Sequence, residues 1–173
     1  MPATRPPAGP SAYGGSCYLN SAAIAAQALR DAGAPRVAVI DVDAHHCNGT
    51  QAIFYERGDV YVGSLHVDPG AGWFPHYVGY ADERGAGDAD WLAAVEVLCG
   101  EARSHGAEAI VVSLGVDAAA ADPESPLCVS ADAYRLACER IAALAPAVVV
   151  QEGGYDLDSL GSLVMAALEG FRA

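Results

Sequence analysis

The 173 residues carry a formal net charge of -13 with 53% hydrophobic side chains, and the mean hydropathy is +0.21. This length and apolar content fit one domain, residues 1–173, with a packed core, and exclude a disordered chain. The acidic balance disfavours non-specific nucleic-acid binding, and no apolar run reaches the ~20 residues of a membrane span.

The chain opens with Arg5-Pro6-Pro7-Ala8-Gly9-Pro10-Ser11, a loop by its proline content and without a secretory leader pattern. After Gly14-Gly15-Ser16-Cys17-Tyr18-Leu19, Asn20 stands where it can cap an alanine-rich helix over 21–32, which Gly33-Ala34-Pro35 stops. Val37-Ala38-Val39-Ile40 is the unbroken β-branched run of a strand buried on both faces, and Asp41-Val42-Asp43-Ala44-His45-His46 follows at its carboxyl end. Residues 51–55 form a short helical turn and 60–67 a second strand. The stretch 68–87 reads as a loop rich in glycine and aromatics, holding Trp73, Phe74, Pro75, His76 and Tyr77. Asp90 is placed to cap a helix through 104 that carries Trp91, Leu92, Val95 and Leu98 at helical spacing. A third strand over 109–117 ends in Asp117, a helix covers 130–144, and a fourth strand over 147–152 breaks at Gly153-Gly154-Tyr155. A last helix covers 159–171. Alternating strands and helices predict an α/β fold with a parallel sheet and flanking helices. The five cysteines form no C-x-x-C pair, which fits reduced thiols and a cytoplasmic location.

Reactive groups therefore gather at strand ends, where open α/β sheets build their sites. Asp41, Asp43 and His45 are two apart, so an extended backbone turns them to one side. Asp43, His45 and Asp117 are two carboxylates and an imidazole, three protein ligands of the kind a catalytic zinc uses while its fourth position stays open. Such a metal polarises a carbonyl and lowers the pKa of water toward ~7. Tyr155, on a double-glycine turn, can donate to the oxyanion formed on attack. Singly, Asp117 reads as a turn residue and Tyr155 as a packing residue; together at equivalent strand ends, they read as a site.

These residues resemble the zinc-dependent histone deacetylases and their bacterial relatives, the acetylpolyamine amidohydrolases, over nearly the whole chain. Asp41-Val42-Asp43-Ala44-His45-His46-Cys47-Asn48-Gly49 is similar to the family's metal strand, Leu114-Gly115-Val116-Asp117 to the segment of the third ligand, and Glu152-Gly153-Gly154-Tyr155 to the motif of the transition-state tyrosine. The resemblance implies the arginase/deacetylase three-layer fold and zinc on Asp43, His45 and Asp117. It also implies potassium at Asp41, Asp43, His45, Ser64 and Leu65, and an acyl tunnel walled by Phe74 and Gly15. The implied substrate is an acetylated amine, either a polyamine or acetyl-lysine.

Departures carry their own expectations. Where the family reads R-P-P-G-H-H-A, this chain reads Arg5-Pro6-Pro7-Ala8, so the tandem histidines of proton transfer are absent. Residues after Gly85-Ala86-Gly87 are shortened, Ser16 takes a common aromatic position, and Cys47 replaces a usual glycine. The family's first strands and helices have no counterpart, making this a partial catalytic domain, incomplete at the N-terminus. Two functional expectations stand: an impaired zinc-dependent amide hydrolase, or an inactive fragment that keeps the metal site. An arginase-like dimetal enzyme wants D-x-H-x-D, and Cys47 occupies its second carboxylate position.

Overall fold

A computed structural model describes residues 8–11, 17–66, 77–79, 86–124 and 127–172. Their chain order is α1 (Ser21–Asp31), β1 (Val37–Asp41), α2 (Asn48–Phe54), β2 (Val60–His66), β3 (Tyr77–Gly79), α3 (Asp88–His105), β4 (Ala109–Leu114), α4 (Ala131–Ala142), β5 (Ala147–Gln151) and α5 (Leu160–Gly170). The strands form one five-stranded sheet in the order β3-β2-β1-β4-β5, and every pairing is parallel. The apolar runs explain the centre. β1, β2 and β4 are buried along their full lengths, as parallel strands covered on both faces must be.

Helices lie on the two faces, giving three layers. On one face Val37, Val39, Val60, Val62, Ala109 and Val111 pack with Ala22, Ala23 and Ala26 of α1 and Phe54 of α2. The opposite face is larger: Ala38, Ile40, Ile110 and Val112 meet the inner sides of α3, α4 and α5. Trp91 of α3 meets Tyr134 of α4 edge-on there, ring centroids 5.0 Å apart, a favourable aromatic geometry. Caps set the helix ends. Asn20 Oδ1 accepts from Ala23 N at 2.8 Å and Ser130 Oγ from Ala133 N at 3.3 Å, while Gly106, at φ +74°, ends α3 in the left-handed region. No helix among the described residues is long and apolar enough to cross a membrane.

Four local expectations need correction. The stretch 68–87 is not wholly loop, because Tyr77–Gly79 adds a short strand beside β2. The turn expected over 51–55 starts earlier, as the helix Asn48–Phe54. Asp90 does not cap α3: Gly87 is the capping residue and Asp88 and Asp90 fall in the first turn. The Asp88 carboxylate is engaged elsewhere, accepting from Ser130 N and Oγ, both at 2.7 Å. Finally, β4 ends at Leu114, not at Asp117. The chain leaves the sheet at Gly115, where a Cβ would stand 2.4 Å from Asp43 Oδ2.

Candidate metal centre

Asp41 closes β1 level with Ser64 of β2 and Ser113 of β4. Beyond it the backbone bends rather than continuing as a strand, which corrects the expectation that Asp41, Asp43 and His45 share one side by alternation. Asp41 Oδ1 instead accepts from Asp43 N at 3.1 Å, and Asp43 Oδ1 from His45 N at 2.7 Å. Each carboxylate thus fixes the backbone two residues on, a local turn device of aspartate. The result aims the His45 ring across the strand ends. Its Nδ1 lies 3.0 Å from Asp43 Oδ1 and 2.7 Å from Asp117 Oδ2.

Asp117 reaches this point from the turn after β4. It is fully buried, and its other oxygen, Oδ1, accepts from Ala44 N at 2.9 Å. Asp43, His45 and Asp117 each offer a ligand atom, and these atoms lie within 4.8 Å of one another. Two glycines permit the convergence. Gly153 N donates to Asp43 Oδ2 at 2.9 Å, and a Cβ on Gly153 would stand 2.6 Å from Asp43 Oδ2 and from Asp117 Oδ2. Gly115 crowds Asp43 in the same way from below.

The electrostatics are those of a cation cradle. Hydrogen bonds to Asp117 and Asp43 push the His45 pKa up to about 10, against the burial that opposes charge. Burial pushes Asp117 up to about 6. For Asp43, burial acts upward but the bonds from His45 outweigh it and hold the carboxyl below its usual value. One proton on His45 therefore sits between two carboxylates. A divalent ion bound by the same three atoms would take that proton's place, and two carboxylate oxygens with one imidazole nitrogen suit zinc. The donor set and the glycine floor fit the metal.

Asp41 lies 3% exposed beside this cluster without belonging to it. Burial, then Asp43 and Glu152, push its pKa well above the usual carboxylate range. Ser64, buried beside Asp41, has its Oγ 3.1 Å from His66 Nδ1, and Leu65 is also buried. The structure therefore places Asp41, Ser64 and Leu65 at adjoining strand ends, next to Asp43 and His45. Phe74 and Gly15 lie outside the described residues.

Tyr155 stands on the turn that follows β5, 40% exposed and so not in the core. Gly154 there has φ +151°, and a Cβ would meet Val116 Cγ2 at 2.7 Å. Asp122, in the Asp122-Pro123 pair that follows Asp117 where the resemblance implies it, holds this turn. Asp122 is buried, and its Oδ2 accepts from Tyr155 N at 2.7 Å and Asp156 N at 3.3 Å. Its Oδ1 accepts from Glu124 N at 2.9 Å, an Asp-Pro-x turn whose signal was present in Asp122-Pro123-Glu124. Ser113 was missed: its Oγ donates to Glu152 Oε1 at 3.0 Å. Asn20, expected only as a helix cap, also donates through Nδ2 to Ala8 O at 3.0 Å and Thr50 Oγ1 at 2.9 Å. Asn20 thereby anchors the segment just past the point where the tandem histidines are lacking.

The histone deacetylase domain model matches residues 3–171. The chain is 42% identical over 188 residues to acetylpolyamine amidohydrolase 1 of Pseudomonas aeruginosa, covering 97% of this chain and 54% of that protein. To the acetylpolyamine amidohydrolase of Mycoplana ramosa it is 45% identical over 186 residues, covering 96% and 54%. A solved structure of an acetylpolyamine aminohydrolase from Burkholderia pseudomallei superposes with a TM-score of 0.82 at 39% identity, covering 91% of this chain and 50% of that one. The chain spans about half the length of these relatives. Both sequence alignments are longer than the chain itself, so the relatives carry internal residues that it lacks.

Proposed function

The chain belongs to the histone deacetylase family, and from that premise we propose that it is the metal-binding part of a zinc-dependent amidohydrolase acting on acetylated amines. One observation carries this: His45 Nδ1 lies between Asp117 Oδ2 and Asp43 Oδ1, at 2.7 and 3.0 Å, over a glycine that leaves no room for a side chain. Asp43, His45 and Asp117 would hold zinc, which when bound polarises an amide carbonyl and acidifies water toward pKa ~7.

The protein's own groups supply the rest. Tyr155 is the hydroxyl donor to the oxyanion, and Asp122 fixes the turn that carries it. Asp41, Ser64 and Leu65, with Asp43 and His45, would hold a potassium ion, whose charge would offset the buried Asp41 carboxylate. By resemblance to the family, Phe74 and Gly15 would wall the acyl group. Acetylpolyamines are the favoured substrates, because the named relatives of 42% and 45% identity act on them, and acetyl-lysine is the second choice. The reaction takes place in the cytoplasm, without nucleic acid or membrane.

Amide hydrolysis also needs a base to take a proton from water and an acid to protonate the departing amine. His45 is committed to the metal, and the ring of His46 to a contact with Gln51 Oε1 at 2.6 Å and a stack on His66 with centroids 4.5 Å apart. With no tandem pair in the sequence, turnover falls by the ~10²–10⁴ that positioned acid–base groups contribute. The site then binds metal without efficient catalysis.

The test compares the chain as given with a variant carrying Gly-His-His between Pro7 and Ala8, each assayed for zinc content and for hydrolysis of an acetylated polyamine. About one zinc per chain, lost in Asp117→Ala, with negligible turnover by the parent, is the expected result. Zinc below a tenth of an equivalent overturns the metal assignment. Fast turnover by the parent overturns the account of the missing histidines.

A further inference from the structure

Asn20 makes more bonds than a helix cap needs. Its Oδ1 accepts from Ala23 N and so caps α1. Ser130 does as much for α4 with a single hydroxyl, and asparagine, aspartate and serine serve about equally at that position. The Nδ2 protons of Asn20 go elsewhere, to Ala8 O at 3.0 Å and to Thr50 Oγ1 at 2.9 Å. Asn20, Ala8 and Thr50 are 8%, 2% and 1% exposed. Losing either bond would therefore strand a polar group out of reach of water.

Thr50 carries the connection toward the metal centre. It lies in the first turn of α2, which begins at Asn48, just past His45-His46-Cys47. That turn grips the loop before it twice. Gln51 N donates to Cys47 O at 3.0 Å, and Gln51 Oε1 lies 2.6 Å from His46 Nε2. His45 is held to Asp43 through its backbone N and its ring, and to Asp117 through its ring. A path of hydrogen bonds and one helical turn thus runs from Ala8 through Asn20, Thr50 and Gln51 to the His45 loop. The packing around it gives little register. The fully buried residues of α1 are Ala22, Ala23 and Ala26, and apolar contact is non-directional. Ligand positions at a metal site tolerate only about 0.2 Å, so the placement of this turn matters to His45.

We propose that Asn20 and Thr50 are positioning residues for the metal centre: the pair fixes the first turn of α2 against the His45 loop and couples it to the segment at Ala8. The inference rests on the reading of Asp43, His45 and Asp117 as zinc ligands, and adds that zinc affinity is set in part from outside them. Coupling of this kind is reciprocal. Whatever the Asn20–Thr50 bond adds to zinc affinity, zinc adds to the retention of that bond.

Three variants separate positioning from packing. Thr50→Val keeps the shape and removes the hydroxyl, Thr50→Ser keeps the hydroxyl and removes a methyl group, and Asn20→Asp keeps the cap on Ala23 while removing both Nδ2 donors. Competition with a chromophoric chelator measures zinc affinity, and a melt in excess chelator gives the stability of each protein. We expect Thr50→Val and Asn20→Asp to bind zinc about fivefold or more weakly, and Thr50→Ser to stay within about twofold of the parent even where its melt is lower. In isotope-labelled parent, zinc should slow exchange of the Asn20 side-chain amide protons by about threefold or more, and in Thr50→Val it should not. The two Thr50 variants decide the matter alone if Asn20→Asp does not fold. Affinity that follows the melt, with Thr50→Ser the weaker binder, would show a merely structural pair and overturn the proposal. So would Asn20 exchange in the parent that zinc leaves unchanged. A parent that takes up no zinc overturns the metal reading and the coupling with it, whereas full uptake with unaltered variants overturns the coupling alone.

Discussion

Gly153→Ala isolates the geometry of the metal centre, because it adds one methyl group beneath both carboxylates. The new Cβ would stand 2.6 Å from Asp43 Oδ2 and from Asp117 Oδ2, against the 3.4 Å at which ordinary contact begins. The shortfall is about 0.8 Å, whereas ligand distances at a metal site tolerate about 0.2 Å. Neither carboxylate can swing freely, since Asp43 holds Gly153 N and Asp117 is tied to Ala44 N and His45. Overpacking of this kind costs about 1–3 kcal/mol. Charged to the metal-competent arrangement, that weakens zinc binding roughly 5- to 150-fold. Competition against a chromophoric chelator measures the affinity, and a melt in excess chelator shows that the variant is folded. Gly161→Ala, where a Cβ meets nothing within 4 Å, serves as the control and should bind as the parent does. A folded Gly153→Ala protein with zinc affinity within twofold of the parent would refute the glycine-floor argument.

Asp122→Ala should lower stability by about 2–4 kcal/mol: a bond to a charged acceptor is worth roughly 1.5–3 kcal/mol, and the three that share this carboxylate are lost less than additively as water reaches the freed N–H groups; a melting curve unchanged from the parent would contradict this. The metal-free chain should lose stability as pH rises. The His45 pKa is raised to about 10, so its contribution is complete below pH ~6.5 and disappears as pH climbs through about 10. Asp117, raised to about 6, acts in the same direction over pH ~4–6. Melting with chelator at pH 6.5, 8 and 9.5 tests the His45 part, and a flat or rising profile would count against a proton shared by His45 and the carboxylates. Zinc uptake at pH 7.5 should release close to one proton, read from the dependence of binding heat on buffer ionisation, and release near zero would mean that His45 is not a ligand.

Much of the fold was legible because burial writes itself into apolar runs: Val37 to Ile40 and Ala109 to Val112 announce central parallel strands. The convergence of Asp43, His45 and Asp117 was legible for a chemical reason, since the residue types that bind zinc are few and these three stand at strand ends. What could not be read depends on partners distant in sequence. Asp90 resembles a cap until Asp88 is seen holding Ser130, 42 residues away. The strand before Asp117 looks longer than it is because nothing local shows that Gly115 must pass against Asp43. Asp122 gives no sign that its carboxylate reaches the backbone of Tyr155. β5 misleads in the opposite sense: its valines predict burial, and the described residues leave it at an edge.

The sheet also divides the apolar interior unequally, with the larger share beneath α3, α4 and α5 and the smaller beneath α1 and α2. Opening the thinner layer exposes less hydrocarbon, so it separates at a lower free-energy cost than global unfolding. Asn20 lies at its rim, joining Ala8, Thr50 and the start of α1 through three hydrogen bonds. A protease sampling such openings reaches the connections around α1 and α2 first, while the α3–α5 side stays folded on the sheet. Digestion would then begin beside the Ala8 anchor, on the face of the sheet opposite α3, α4 and α5.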